Sequence, residues 1–369
     1  VSEARLRDLF GGKISAVVSV AAVMIIIYGV QAAQVIIVPF LLAGFLALIT
    51  VRPMLWMQSR DVPAILAALI ILTGILLLLT VIVTIIGTSV GDFAASLPSY
   101  QARLDTVIQG LLVLLSRVFD RDLSIEGLQE LADPGWALRL AASILVGARE
   151  VLTNAFLVFF TMVFILLDAS SVPTKMRAAF GHKTSSFTGQ ETFLDNLARY
   201  LGIKTAVSLL TGVCAGLVTW SLGLDYPLLW GMLAFLLNYI PTIGSIIASF
   251  PAILLALIQL GWTDAGLTAA AYLAINIVFG NFLEPRLLGH GVGISPLIVF
   301  TGLFFWGWVL GPVGMLLSVP LTMSLKLALE TNESTRWIAI MIGSERDAHH
   351  MLKAQQGPEE GTAERATEA

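Results

Sequence analysis

Charge is what this 369-residue chain has least of: Asp, Glu, Lys and Arg make up 12% of it, against 57% hydrophobic residues. Soluble domains carry roughly 25% charged residues, so a solvated globular class is excluded. The mean hydropathy of +0.88 points the same way. Cysteine is almost absent as well. The single Cys214 lies in an apolar run, has no partner for a disulfide or metal site, and reads as a buried small residue. Catalytic signatures are missing: there is no HExxH, no cysteine pair and no P-loop lysine motif, which excludes ATP hydrolysis by that route. One G-x-S-x-G match, Gly87 to Gly91, ends an apolar helix instead of following a strand, so it is no nucleophile elbow. No enzyme activity, cofactor, metal or nucleic-acid partner is expected. The formal net charge of −4 says little, because the charges are unevenly placed.

What is abundant is apolar sequence in long runs, and these mark membrane spans. Residues 14–30 and 33–50 come first, after Arg5, Arg7 and Lys13, with no cleavage pattern that would make the start a removable signal. Asp61-Val62-Pro63 reads as the cap and first turn of a third helix running to about Val90. From Gly91 the character changes. Arg103, Arg117, Arg121 and Arg139 face an excess of acids, and apolar residues from Leu104 to Leu115 recur at helical spacing, as in amphipathic helices outside the bilayer. A fourth span, 151–167, precedes a basic stretch up to Lys204, and a fifth runs to about Leu222. The fold class is therefore an all-α polytopic membrane protein. About eight membrane-embedded helical units are expected, two of them broken or re-entrant, plus an extramembrane helical insert.

The expected organisation has six parts. Residues 1–90 form a three-span region, 91–146 an extracytoplasmic insert, and 147–168 the fourth span. Residues 169–204 form a cytoplasmic linker, 205–330 a motif-rich transport region, and 331–369 a mostly disordered tail. The basic segments fall on one side of the membrane and the acidic insert on the other. The positive-inside rule then puts both termini in the cytoplasm.

Two late segments break the pattern. Tyr226 to Leu260 is interrupted at Asn238-Tyr239-Ile240-Pro241 and Gly244, then Pro251; Ile294 to Leu327 at Gly311-Pro312-Val313-Gly314, then Pro320. Each is about 34 residues, roughly 50 Å as helix, against a hydrocarbon core of about 30 Å. That is too long for one upright span and too short for two. Kinked spans and re-entrant hairpins both fit, and they differ in where Glu284, Arg286 and His290 lie. Irregular backbone survives in a membrane only where protein or water satisfies it, and paired breaks mark transporter binding sites.

Asn238, Tyr239, Asn276, Asn281 and Glu284 are the polar groups in or beside these late runs. An ionisable group at the bilayer centre costs about 2.5 kcal/mol or more, so Glu284 is a functional candidate. Its other role is to pair with Arg286 and anchor a helix end. Asn238 and Pro241 can cap a kink or offer an amide and free carbonyls to a solute or cation. Trp306 and Trp308 read as anchors or packing. Gly212-x-x-x-Gly216 and Gly307-x-x-x-Gly311 permit close helix contact.

Asn238-Tyr239-Ile240-Pro241-x-x-Gly244, then Gly280-Asn281-x-x-Glu284-Pro285, Ser295-Pro296, Trp306-Gly307 and Gly311-x-x-Gly314 with Pro320 resemble the autoinducer-2 exporter family of bacterial inner-membrane proteins. The resemblance is ordered and dense across 226–326. It implies a homo-oligomeric transporter, pentameric in the family, that exports small polar solutes including the quorum-sensing autoinducer-2 by an elevator-like motion. Lipid and a coupling proton or sodium ion are its implied partners. It carries over, as transport-site residues, Asn238, Pro241, Gly244, Asn281, Glu284, Pro285, Gly311, Pro312 and Gly314; Tyr239 and Asn276 join them from the polar pattern. Other relatives are sodium(lithium)/proton antiporters, so antiport through Glu284 stays open. So does a scaffold or channel whose breaks serve only packing.

Overall fold

The computed structural model describes residues 3–119, 155–168, 185–288, 293–331 and 333–344. Every regular element among them is helical, as expected where lipid offers the backbone no hydrogen-bond partner. The elements are α1 (Glu3–Ala32), α2 (Gln34–Gln58), α3 (Ala64–Phe119) and α4 (Ala155–Asp168). They continue with α5 (Ser185–Ser221), α6 (Pro227–Leu237), α7 (Ile243–Gln259) and α8 (Trp262–Ile275). A π-helical segment, Asn276–Leu283, leads into α9 (Glu284–Leu288), and α10 (Pro296–Leu316), α11 (Ser318–Glu330) and α12 (Arg336–Ile342) follow. Five stretches are long and apolar enough to cross a membrane: Gln34–Gln58, Ala64–Phe93, Asp195–Ser221, Trp262–Leu288 and Pro296–Leu316. Their large apolar side chains lie open on the outside, among them Leu77 and Trp220, as do Ile25 and Phe156 on the shorter apolar helices. This is the surface of an all-α polytopic membrane protein.

Several boundaries differ from the sequence reading. α3 does not stop near Val90 but runs on for 56 residues to Phe119, carrying Pro98 inside it. The helical period never lapses there; only the apolar face narrows, so the helix leaves its lipid-facing stretch intact. Asp61 ends α2 instead of capping α3. It sits at φ 63, with Val62 N–H donating to Met57 O at 3.3 Å and Asp61 N–H to Gln58 O at 3.1 Å. That is a left-handed helix stop, a place where Asp is tolerated. α5 begins at Ser185, so residues 185–204 of the expected linker are continuous with the span that follows. Residues 120–146 of the insert, His290 and the tail beyond 344 lie outside the described residues.

The chain forms two compact units, residues 46–293 and residues 1–45 with 294–369. In the first, α5 packs on α6 where glycines meet: Gly212 faces the Gly231 carbonyl and Gly231 faces the Gly212 carbonyl, each leaving no room for a Cβ. α6 and α7 then fold back on each other. Gln259 Oε1, at the end of α7, accepts from the Asp225 N–H, just before α6, at 3.0 Å. Gln259 Nε2 donates to Gly223 O at 3.3 Å. The ends of 226–260 are therefore together and the Asn238–Thr242 turn is far from them, which makes the segment a helical hairpin.

The second unit contains a like element. Gly311 departs from helix at φ 69, ψ −155, and the chain reverses there. Trp306 Nε1 donates to Thr322 Oγ1 at 3.1 Å, and Gly302 lies against the same hydroxyl. Trp308 packs edge-on against Tyr28 at 6.1 Å, and its carbonyl accepts from Gln31 Nε2 at 3.3 Å. The Ser295 N–H bonds to Ile342 O at 3.1 Å, tying α12 to the start of α10.

Candidate functional site

The two turns share a device. Gly244 lies directly against the Leu237 carbonyl and Ile240 Cβ; Gly314 lies directly against the Trp306 carbonyl and Leu310 Cβ. A side chain at either glycine would meet backbone that cannot move aside, so each hairpin can close only there. The first turn also holds Thr242 at φ 63, ψ −50, a strained conformation for a β-branched residue.

Around that first turn the polar groups converge, most of them on partners from α5. Asn238 Nδ2 donates to Ser208 Oγ at 2.9 Å, both buried. Tyr239 Oη bonds Thr205 Oγ1 at 2.8 Å. Ser245 Oγ, on the first turn of α7, donates to Asn276 Oδ1 at 3.0 Å. Lys204 Nζ donates to both oxygens of Glu284 at 2.8 Å, with side chains 7% and 16% exposed. Tyr200, one turn earlier on α5, is buried within the electrostatic reach of Glu284 and Tyr239.

Residues 200, 204 and 208 share one face of α5, with 205 beside it, so the helix lays a polar stripe against the turn. Asn276 opens the π-helical segment and Glu284 follows its end. Such wide turns recur at functional sites, and this one alters the register between the two residues. Two further buried hydroxyls, Thr211 on α5 and Tyr272 on α8, have no hydrogen-bond partner among the described residues.

The sequence reading and the geometry overlap in part. Asn238, Tyr239, Asn276 and Glu284 are brought together, and Pro241 and Gly244 build the turn that carries the first two. Asn281 and Pro285 are exposed. Asn281 lies in the π-helical segment three residues before Glu284, and the wider turn there rotates it away from the face that an α-helix would give the two. Glu284 pairs with Lys204, not with Arg286, whose guanidinium lies over the Phe282 ring at 5.8 Å. Gly311, Pro312 and Gly314 form the turn of the other hairpin, in the other unit. Lys204, Thr205, Ser208 and Ser245 were missed. The signal for them was a lysine at the start of an apolar helix with hydroxyl residues at helical spacing after it.

The open end of the first hairpin is different in kind. Leu224, Trp230, Ala252, Leu255, Ala265 and Tyr100 close it with an apolar cluster. Tyr100 Oη donates to Asp225 Oδ2 at 2.6 Å, Tyr226 Oη bonds Ser96 Oγ at 3.2 Å, and Arg103 Nη1 donates to Gln259 O at 3.1 Å. Burial, then the bond to Asp225, pushes the Tyr100 phenol well above its ordinary range, so it stays neutral. All three α3 residues lie just beyond the apolar stretch that ends at Phe93. This end therefore sits at one membrane face. Lys204 lies about 25 Å from Ser221 along α5, toward the other face.

Comparison with known proteins places these features in context. The family model described as "AI-2E family transporter" matches residues 15–333. The chain is 38% identical over 326 residues to the AI-2 transport protein TqsA of Escherichia coli (strain K12), covering 88% of this chain and 94% of that one. A putative transport protein of Haemophilus influenzae is 38% identical over 333 residues, covering 89% and 96%. The putative transport protein YhhT of Escherichia coli (strain K12) is 35% identical over 326 residues, covering 88% and 93%.

Proposed function

The chain belongs to the AI-2E transporter family, and on that premise we propose that this membrane transporter exports small, neutral, hydroxylated metabolites of the autoinducer-2 kind. The observation that carries the reading is the set of hydroxyl and amide pairs at the first hairpin turn: Ser208 with Asn238, Thr205 with Tyr239, Ser245 with Asn276. A buried polar group left unpaired costs about 1–3 kcal/mol, while exchanging one partner for another costs little. Each pair can open to a solute hydroxyl with no group left bare. Thr211, buried one turn from Ser208 with no partner among the described residues, adds a group that a solute would satisfy.

The remaining assignments follow from that site. With the positive-inside orientation, the Lys204–Glu284 end faces the cytoplasm and the Tyr100–Asp225 end faces outward. Solute enters the polar end from the cytoplasm of the inner membrane, with the outer end sealed. The hairpin is re-entrant, its turn about 17 Å in from the open end. An elevator-like shift of the hairpin-bearing part of each subunit, in a homopentamer, would move the site between faces. Coupling to a proton is compatible with Glu284.

Antiport of sodium or lithium against protons is the second reading. It is favoured by a buried carboxylate beside a π-helical turn, and disfavoured because Lys204 holds both carboxylate oxygens. Uptake of labelled autoinducer-2 precursor by everted vesicles, with and without a protonophore, tests the export reading. Saturable uptake is expected; abolition by the protonophore would establish proton coupling, and its survival facilitated exit. Uptake equal to that of empty vesicles would remove the proposed solute.

A further inference from the structure

We propose that Lys204 sets the charge specificity of this site: its ammonium occupies the cation position of Glu284 and closes the site to monovalent metal ions. The inference rests on the transport-site reading and adds what the site rejects. Lys204 Nζ sits 2.8 Å from both carboxylate oxygens, the position a sodium ion would have to take. Both side chains are largely buried. Displacing the ammonium by a metal ion would leave two cations side by side where the effective dielectric is low. The other basic group nearby, Arg286, is turned over the Phe282 ring. Tyr200, on α5, lies within the electrostatic reach of Glu284, and tyrosine is uncharged at neutral pH.

The consequence runs in both directions. With Lys204 present, the cluster is electrically neutral and lined by hydroxyls and amides, a surface for neutral solutes. With the ammonium removed and the carboxylate kept, the two oxygens of Glu284 are left as an uncompensated negative charge, with the Tyr200 phenol within its electrostatic reach. Hard oxygen donors of that kind suit small hard cations. A single residue would then separate the neutral-solute and cation-exchanging behaviours within one architecture.

Thermal unfolding of the purified full-length protein tests this, in sodium chloride against choline chloride at equal ionic strength and without solute. Wild type is expected to show the same midpoint in both salts. Lys204→Met is expected to be lower in choline and raised by several degrees in sodium, saturably. The double variant Lys204→Met with Glu284→Gln should again ignore sodium. A sodium response of equal size in wild type, or none in Lys204→Met, would overturn the proposal. If Lys204→Met yields no folded protein in choline, Lys204→Gln is carried through beside it and folded yield in sodium against choline becomes the readout. Equal yields for both variants overturn it. Because no solute is present, the sodium pattern can hold while vesicle uptake fails, or the reverse, so the two claims fall separately.

Discussion

The two ends of the α6–α7 hairpin are built from the same helices and surrounded by opposite chemistry. At the open end, Trp230, Leu255, Ala252 and Tyr100 pack into a dry cluster, pinned to α3 by Tyr100–Asp225 and Arg103–Gln259. At the turn end, hydroxyls, amides and one ion pair meet. A membrane protein has no need of the second arrangement for stability, since lipid-facing helices associate well through small residues such as Gly212 and Gly231. A polar cluster kept against that background points to a solute path.

The largest expected effect separates the ends by charge. Glu284→Gln leaves the Lys204 ammonium buried without a counter-charge, and breaking a buried pair in this way costs about 3–5 kcal/mol. Lys204→Met with Glu284→Gln should recover most of that loss, read as unfolding midpoints in detergent. A single variant as stable as wild type would mean the pair is solvated and the turn end is not a closed site.

Next comes the turn itself. Gly244→Ala puts a Cβ against the Leu237 carbonyl, and overpacking against fixed backbone costs about 1–3 kcal/mol. Uptake should drop together with stability, because the turn cannot close. Unaltered uptake in Gly244→Ala would detach the hairpin turn from the transport path.

Asn238→Ala is expected to cost about 1–3 kcal/mol by leaving Ser208 unpaired in a buried setting. Its effect on uptake should exceed its effect on stability, whereas a packing role would lower both in proportion. Tyr100→Phe, at the other end, removes one bond worth about 1 kcal/mol. The sign of its pH dependence is fixed: the folded-state phenol titrates above the ordinary tyrosine value of 10.0, so its contribution is complete below that and lost only at higher pH. The Tyr100→Phe difference should therefore be the same at pH 6 and pH 9.

Much of this was legible in the sequence because proline and glycine mark breaks wherever apolar runs are long. Pro241, Gly244, Gly311, Pro312 and Gly314 located both turns, and the length of each segment against the bilayer anticipated a departure from a single span. Three things were not legible. The Lys204–Glu284 pair joins residues 80 apart in sequence, and neither neighbourhood names the other. The π-helical segment shifts Asn281 away from Glu284, and no composition cue distinguishes a π turn from an α turn. The extension of α3 past Val90 was hidden because an amphipathic pattern in the same helical phase looks like a new element. Local signals fix where the backbone breaks; which side chains then meet is decided by packing.

The most direct test of the account is saturable uptake of labelled autoinducer-2 precursor into everted vesicles by wild type, Asn238→Ala and Tyr100→Phe, at matched folded protein. The account predicts that Asn238→Ala falls about tenfold or more, the equivalent of roughly 1.4 kcal/mol of lost binding, while Tyr100→Phe stays within about twofold. Equal uptake by wild type and Asn238→Ala, or a larger loss in Tyr100→Phe, would contradict the claim that the polar turn end carries the solute.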